Sequence, residues 1–168
     1  MLCETADRLA AVWHDMETSG TVTEGIAAAE EAWRGGIADL GDRQSASMIQ
    51  QMPDYTAYAE ALRASLATRI GFPLTVYRAM PEDAVEEFMA SPYSTEWATS
   101  LQARTAEGFA RAAAHRTKSS MVLLRITVRD PAAIIMRGKF EEAELVIATW
   151  EVADDMIIVK SLNNHHGT

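Results

Sequence analysis

The chain has 168 residues, 48% of them hydrophobic, and a formal charge of -9. That length and apolar content allow one compact core without disulfide staples, and the negative charge, with no run of Lys and Arg to offset it, argues against nucleic acid as a partner. The lone cysteine, Cys3, cannot form an internal disulfide; residues 1–8 lack the basic-then-apolar pattern of a signal peptide, and no apolar run approaches about 18 residues, so a cytoplasmic protein with no membrane partner is expected.

The first 72 residues read as helical. Leu9, Val12, Trp13 and Met16 recur at helical spacing over Ala6–Met16, before Gly20. Thr23 is placed to cap a second helix through Ile26, Ala27, Glu30 and Trp33, stopped by Gly35-Gly36. A shorter helix is expected over Asp39–Gln51. Asp54 then caps a helix whose Tyr58, Leu62, Leu66 and Ile70 form one stripe, ended by Gly71 and Pro73. Trp13, His14 and Trp33 are expected in the core or at an interface, and no catalytic constellation is evident in this region.

After Pro73 the pattern changes. Leu74–Met80 reads as a β-branched and aromatic strand with Arg78 inside it. An arginine there pairs with a surface acid or grips an anion through two parallel bonds. Pro81 opens a short helix, Glu82–Met89, ending near Ser91-Pro92. Tyr93–Leu101 follows as a hydroxyl-rich strand, then a helix, Ala103–His115, with Phe109 inward. Met121–Val128 and Ala132–Met136 read as further strands. Arg137-Gly138-Lys139 makes a basic turn into Phe140-Glu141-Glu142-Ala143-Glu144, which opens the apolar strand Leu145-Val146-Ile147. Residues i and i+2 of a strand share a face, so Glu142 and Glu144 are expected side by side at its mouth. A turn at Ala153-Asp154-Asp155 leads to a last strand, Met156–Lys160. The tail from residue 161 carries His165-His166, read as a frayed end rather than a metal site.

Three pieces stand in order: Val76-Tyr77-Arg78, then Trp97-Ala98-Thr99-Ser100-Leu101 followed by a helix with Phe109-Ala110, then Glu142-Ala143-Glu144. The set resembles the cholera-toxin-like mono-ADP-ribosyltransferases, whose pattern is Arg, Ser-Thr-Ser, Glu-x-Glu. It covers about Pro73–Lys160 and departs at Ala98, where the family has its first serine. The resemblance implies an α+β fold: residues 1–72 as a helical part packed on a mixed, mainly antiparallel split β-sheet core at 73–160, forming one domain with residues 161–168 as tail. It implies an enzyme that transfers ADP-ribose from NAD to a protein side chain, an arginine, and releases nicotinamide, with no metal. Glu144 would stabilise the cationic ribose and Glu142 would orient and deprotonate the acceptor. Arg78 would bind the NAD phosphates, and Thr99 and Ser100 would support the pocket. Tyr77, Trp97 and Phe109 would flank nicotinamide or lie in the core, and residues 137–141 would form the acceptor-recognition turn.

Two other readings compete. One keeps the fold without catalysis, as a module that binds NAD or a protein, with Ala98 marking decay. The other is an unrelated α+β interaction domain whose acidic run is a solvated turn. A small acidic transferase of this kind also fits an effector or toxin delivered into a host cell.

Overall fold

The apolar stripes of the first third become helices laid on a sheet. The computed structural model describes residues 2–35, 46–90, 96–117, 120–148 and 156–162. Helix α1 runs Leu2–Thr18, longer at both ends than its stripe, and α2 runs Glu24–Arg34. Thr23 caps α2 as expected, its hydroxyl accepting from the Ile26 N–H at 3.4 Å. Residues 46–50 are helical, and α3 follows at Tyr55–Arg69. Asp54 does not cap α3 with its side chain. Its own backbone is already in the right-handed helical region, whereas a capping side chain reaches the second or third helical N–H from an extended residue. Gly71, at φ +106, ends α3 by turning its N–H back to the Leu66 carbonyl.

The remaining elements alternate. Strand β1 spans Leu74–Pro81, α4 Glu82–Ala90, β2 Glu96–Ser100, α5 Ala103–Thr117 and β3 Met121–Val128. Ala132 and Ala133, expected to open a strand, instead belong to a 3-10 turn, Pro131–Ala133, because the Asp130 carboxylate accepts from the Ala132 N–H at 2.9 Å. Strand β4 therefore starts later, at Ile134–Arg137, and a second 3-10 turn, Phe140–Glu142, leads into β5, Glu144–Ala148. Strand β6 is Met156–Leu162. The start of the expected helix at residues 39–45, Gly36, Ser91-Pro92, Tyr93–Thr95, Trp150, the turn at Ala153–Asp155 and the tail histidines lie outside the described residues.

The strands form one open sheet in the order β4-β5-β2-β1-β3-β6, and it is antiparallel, as mainly expected, with no parallel pair among the described residues to make it mixed. Its pairing is uneven. Strands β1 and β3 pair over eight residues and β2 and β5 over five, whereas among the described residues β1 and β2 are in register at one pair, Tyr77 and Ser100.

Strand β3 is buried on both faces as far as Leu124. Its Val122, Leu124 and Ile126 join the larger core with Val12, Met16, Ile26, Ile49, Leu62 and Leu66 from the N-terminal helices. Its Met121 and Leu123 instead pack under α5 with Ala106 and Ala110. The sheet thus lies between the N-terminal helices on one face and α5 on the other. Trp13 and Trp33 are buried as expected, and His14 is exposed.

A buried ionic network fastens the helical layer to the sheet. Arg137, 1% exposed, donates from Nε and Nη2 to the two carboxylate oxygens of Glu30, itself 2% exposed, at 2.8 and 3.1 Å. Its Nη2 also reaches Glu17 at 2.9 Å, and its Nη1 reaches the Trp13 carbonyl at 3.3 Å. Tyr58 donates its hydroxyl to Glu30 at 2.6 Å and accepts the Arg137 N–H at 3.2 Å. Burial, then the Glu30 charge, pushes the Tyr58 phenol well above its ordinary range, so it stays a donor.

Candidate active site

The seam between β1 and β2 opens a cavity of about 150 Å³, covered by α5 on one side and by the turn before β5 on the other. Its lining includes Tyr77, Arg78, Thr99, Ser100, Phe109, Glu142 and Glu144. Three stretches far apart in the chain meet there: of the residues expected at the site, Tyr77, Arg78, Thr99, Ser100, Phe109, Glu142 and Glu144 line the cavity, whereas Trp97 and residues 137–141 do not.

Arg78 enters from β1. Its guanidinium lies 5.1 Å from the centroid of the Trp97 ring, and its Nη1 donates to the Ala98 carbonyl at 2.8 Å. The contact at position 98 is made by backbone. Alanine in place of serine there leaves it intact.

The two hydroxyls brace the opposite wall. Thr99 Oγ1 donates to the Leu145 carbonyl at 2.8 Å, holding β2 against β5. Ser100 Oγ donates to the Glu142 carbonyl at 2.7 Å while accepting the Gln102 N–H at 3.0 Å. A serine at the last residue of β2 therefore ties the acidic turn to the start of α5.

The acids converge in a different way from the one expected. Glu142 belongs to the 3-10 turn and only Glu144 to the strand; between them Ala143 adopts the left-handed conformation at φ +48. A left-handed residue breaks strand alternation, so it is this turn, and not the i, i+2 rule, that brings both carboxyls to the cavity. The turn is closed by the Lys139 carbonyl, which accepts from the N–H groups of Glu142 at 3.2 Å and Glu144 at 3.1 Å. Glu144 Oε1 accepts the Lys139 N–H at 2.9 Å. Burial, then the charge of Glu144, raises the Glu142 carboxyl above its ordinary value near 4.5.

The aromatic residues divide. Trp97 is in the core, Tyr77 is half-buried on the cavity wall, and Phe109 is 57% exposed on the cavity's α5 side, not inward as expected. Position 109 lies a helical turn from buried Ala106 but one residue off the stripe that Ala106 and Ala110 form, which turns its ring outward. Arg137 is no part of a recognition turn. Its bonds to Glu30 and Glu17 keep it beneath the turn, and of residues 137–141 only Lys139, Phe140 and Glu141 reach the surface, Phe140 resting on Trp13 at 5.6 Å between ring centroids.

Sequence reasoning missed the network of Glu30, Tyr58 and Arg137. It left a trace, since Glu30 is an acid within an apolar stripe. Among the described residues no group of three or more His, Cys, Asp or Glu is placed to hold a metal, and no helix is long and apolar enough to cross a membrane. In comparisons with known proteins, no family model, no curated protein and no solved structure matches this chain.

Proposed function

We propose that the chain is an NAD-dependent mono-ADP-ribosyltransferase with an ADP-ribosyltransferase-like fold, moving ADP-ribose from NAD to an arginine side chain of a target protein. The observation that carries this reading is the meeting of Arg78, Thr99, Ser100, Glu142 and Glu144 around one cavity at a split in the sheet. A cavity near 150 Å³ suits one ring of about benzene size. Nicotinamide would enter it, and the rest of NAD would lie along the mouth of the seam.

In the reaction, the bond between nicotinamide and ribose breaks and its electron pair leaves with the neutral nicotinamide. Positive charge builds on the ribose, as in glycoside cleavage. The Glu144 carboxylate, fixed by the Lys139 N–H, supplies the opposing negative charge. The acceptor guanidinium is a poor nucleophile while protonated. Glu142, whose raised pKa makes it a stronger base than an ordinary carboxylate, takes its proton as the nitrogen bonds to the ribose carbon. Arg78 pairs with the phosphates.

The test is to incubate the protein with labelled NAD and a cell lysate, following label onto protein and release of nicotinamide, with mass spectrometry of the modified site. The Glu144→Gln variant should fold and lose about 10²–10³-fold in rate, the usual loss when one preorganised electrostatic group is removed. Full activity in that variant, or no release by the wild type, refutes the assignment. A second reading, an inactive module that binds NAD, draws support from the hold of the Ala98 carbonyl on Arg78; NAD binding in calorimetry without nicotinamide release would select it.

A further inference from the structure

Glu144 owes its place to a residue outside the Glu-x-Glu pattern. Gly138 sits at the end of β4, directly across the hairpin mouth from Glu144, and its N–H donates to the Glu144 carbonyl at 2.8 Å. The Glu144 side chain folds over Gly138. A Cβ built there would overlap the carboxylate and come within 2.6 Å of Cγ. The backbone of Gly138 is not in the left-handed region, so conformation does not demand glycine here; space does.

The overlap could not be relieved by the backbone, which is pinned on both sides. The preceding residue, Arg137, is locked by Glu30, Glu17, the Trp13 carbonyl and the Tyr58 hydroxyl. The following one, Lys139, holds the turn through its carbonyl and gives its N–H to Glu144 Oε1. Any side chain at position 138 would therefore displace the carboxylate instead of the chain.

We propose that Gly138 is the positioning residue for Glu144: its missing side chain is the space that lets the carboxylate lie on the Lys139 N–H and line the cavity. For catalysis this rests on the transferase reading above. The geometric part does not.

The experiment compares the wild type with Gly138→Ala, Glu144→Gln, their double variant and Glu144→Ala. The Lys139 amide is followed by hydrogen exchange in NMR. In the wild type its bond to Glu144 Oε1 should protect it from exchange; in Glu144→Ala that protection should be lost, and in Gly138→Ala it should be lost with Glu144 still present. Calorimetry should find NAD affinity unchanged in Gly138→Ala, while kcat for nicotinamide release falls about 100-fold, the scale expected when a reacting group is displaced by about an ångström. The double variant should be no slower than Glu144→Gln alone. A Lys139 amide that stays protected in Gly138→Ala, or a kcat that is retained, overturns the proposal. Should the wild type release no nicotinamide, the transferase reading falls, and the Lys139 exchange still decides whether Gly138 holds Glu144. Should Gly138→Ala fail to fold, Glu144→Ala in the same chain removes the overlap: recovered folding supports the contact, and continued misfolding overturns it.

Discussion

The buried pair of Glu30 and Arg137 gives the sharpest stability prediction. Replacing Glu30 by Gln keeps the shape and removes the charge. The Arg137 Nε and Nη2 and the Tyr58 hydroxyl then lose a carboxylate acceptor, and a guanidinium only 1% exposed keeps its charge. Removing one partner of a buried pair costs about 3–5 kcal/mol, because the other charge is left uncompensated. Glu17 stays within 2.9 Å of Nη2 and retains part of the compensation, so the lower end, about 3 kcal/mol, applies. For a chain of this length that lowers Tm by about 6–12 °C. The assay is equilibrium denaturant unfolding with thermal unfolding as a check, set beside Glu17→Gln. Glu17 is 63% exposed, and its loss should cost less than about 1 kcal/mol. Exchanging both buried partners for apolar residues of like volume, Glu30→Leu with Arg137→Met, should recover much of the loss. A cost below about 1 kcal/mol for Glu30→Gln would refute the view that this pair fastens the helical layer to the sheet.

Arg78→Ala should weaken NAD binding about 10–100-fold in calorimetry, the worth of one or two charge-assisted bonds; unchanged affinity would contradict the phosphate role. Glu142→Gln should spare NAD hydrolysis and lose transfer to arginine, and equal loss of both would argue against separate roles. The raised pKa of Glu142 also sets a sign for stability. The folded state disfavours its charged form, so its favourable contribution is complete below about pH 4.5, the unfolded value, and is lost as pH rises through the higher folded value. Glu142→Gln should therefore stabilise the protein at neutral pH relative to wild type, and the advantage should fade on acidification, as thermal unfolding across pH would detect.

What the sequence reveals depends on how far a residue's partners lie along the chain. Helix α2 was legible because its cap and its stripe are local, and β3 because both its faces are apolar. Arg78 could be placed on β1 and Glu144 at the mouth of β5 since each lies beside a β-branched run, Thr75-Val76 and Val146-Ile147. Arg137 misled because Gly138 and Lys139 beside it look like a basic turn, while the acid that buries it is 107 residues away. The left-handed Ala143 has no signature at all, since alanine rarely adopts that conformation. Asp130 redirected the chain into a turn by a bond two residues long, a competition that apolar counting overlooks. At position 98 the bond to Arg78 runs through the backbone carbonyl, a contact that no side-chain motif reports.

The seam in the sheet has a mechanical consequence. Arg78 is rooted in one half, β1-β3-β6, and the two acids in the other, β4-β5-β2, and what joins the halves at the site is the Tyr77 and Ser100 rung together with the reach of Arg78 to the Ala98 carbonyl and the Trp97 ring. A dinucleotide gripped from both sides would rivet the panels together, and the free energy of that rivet would appear as a resistance to unfolding that keeps growing with the logarithm of ligand concentration beyond saturation.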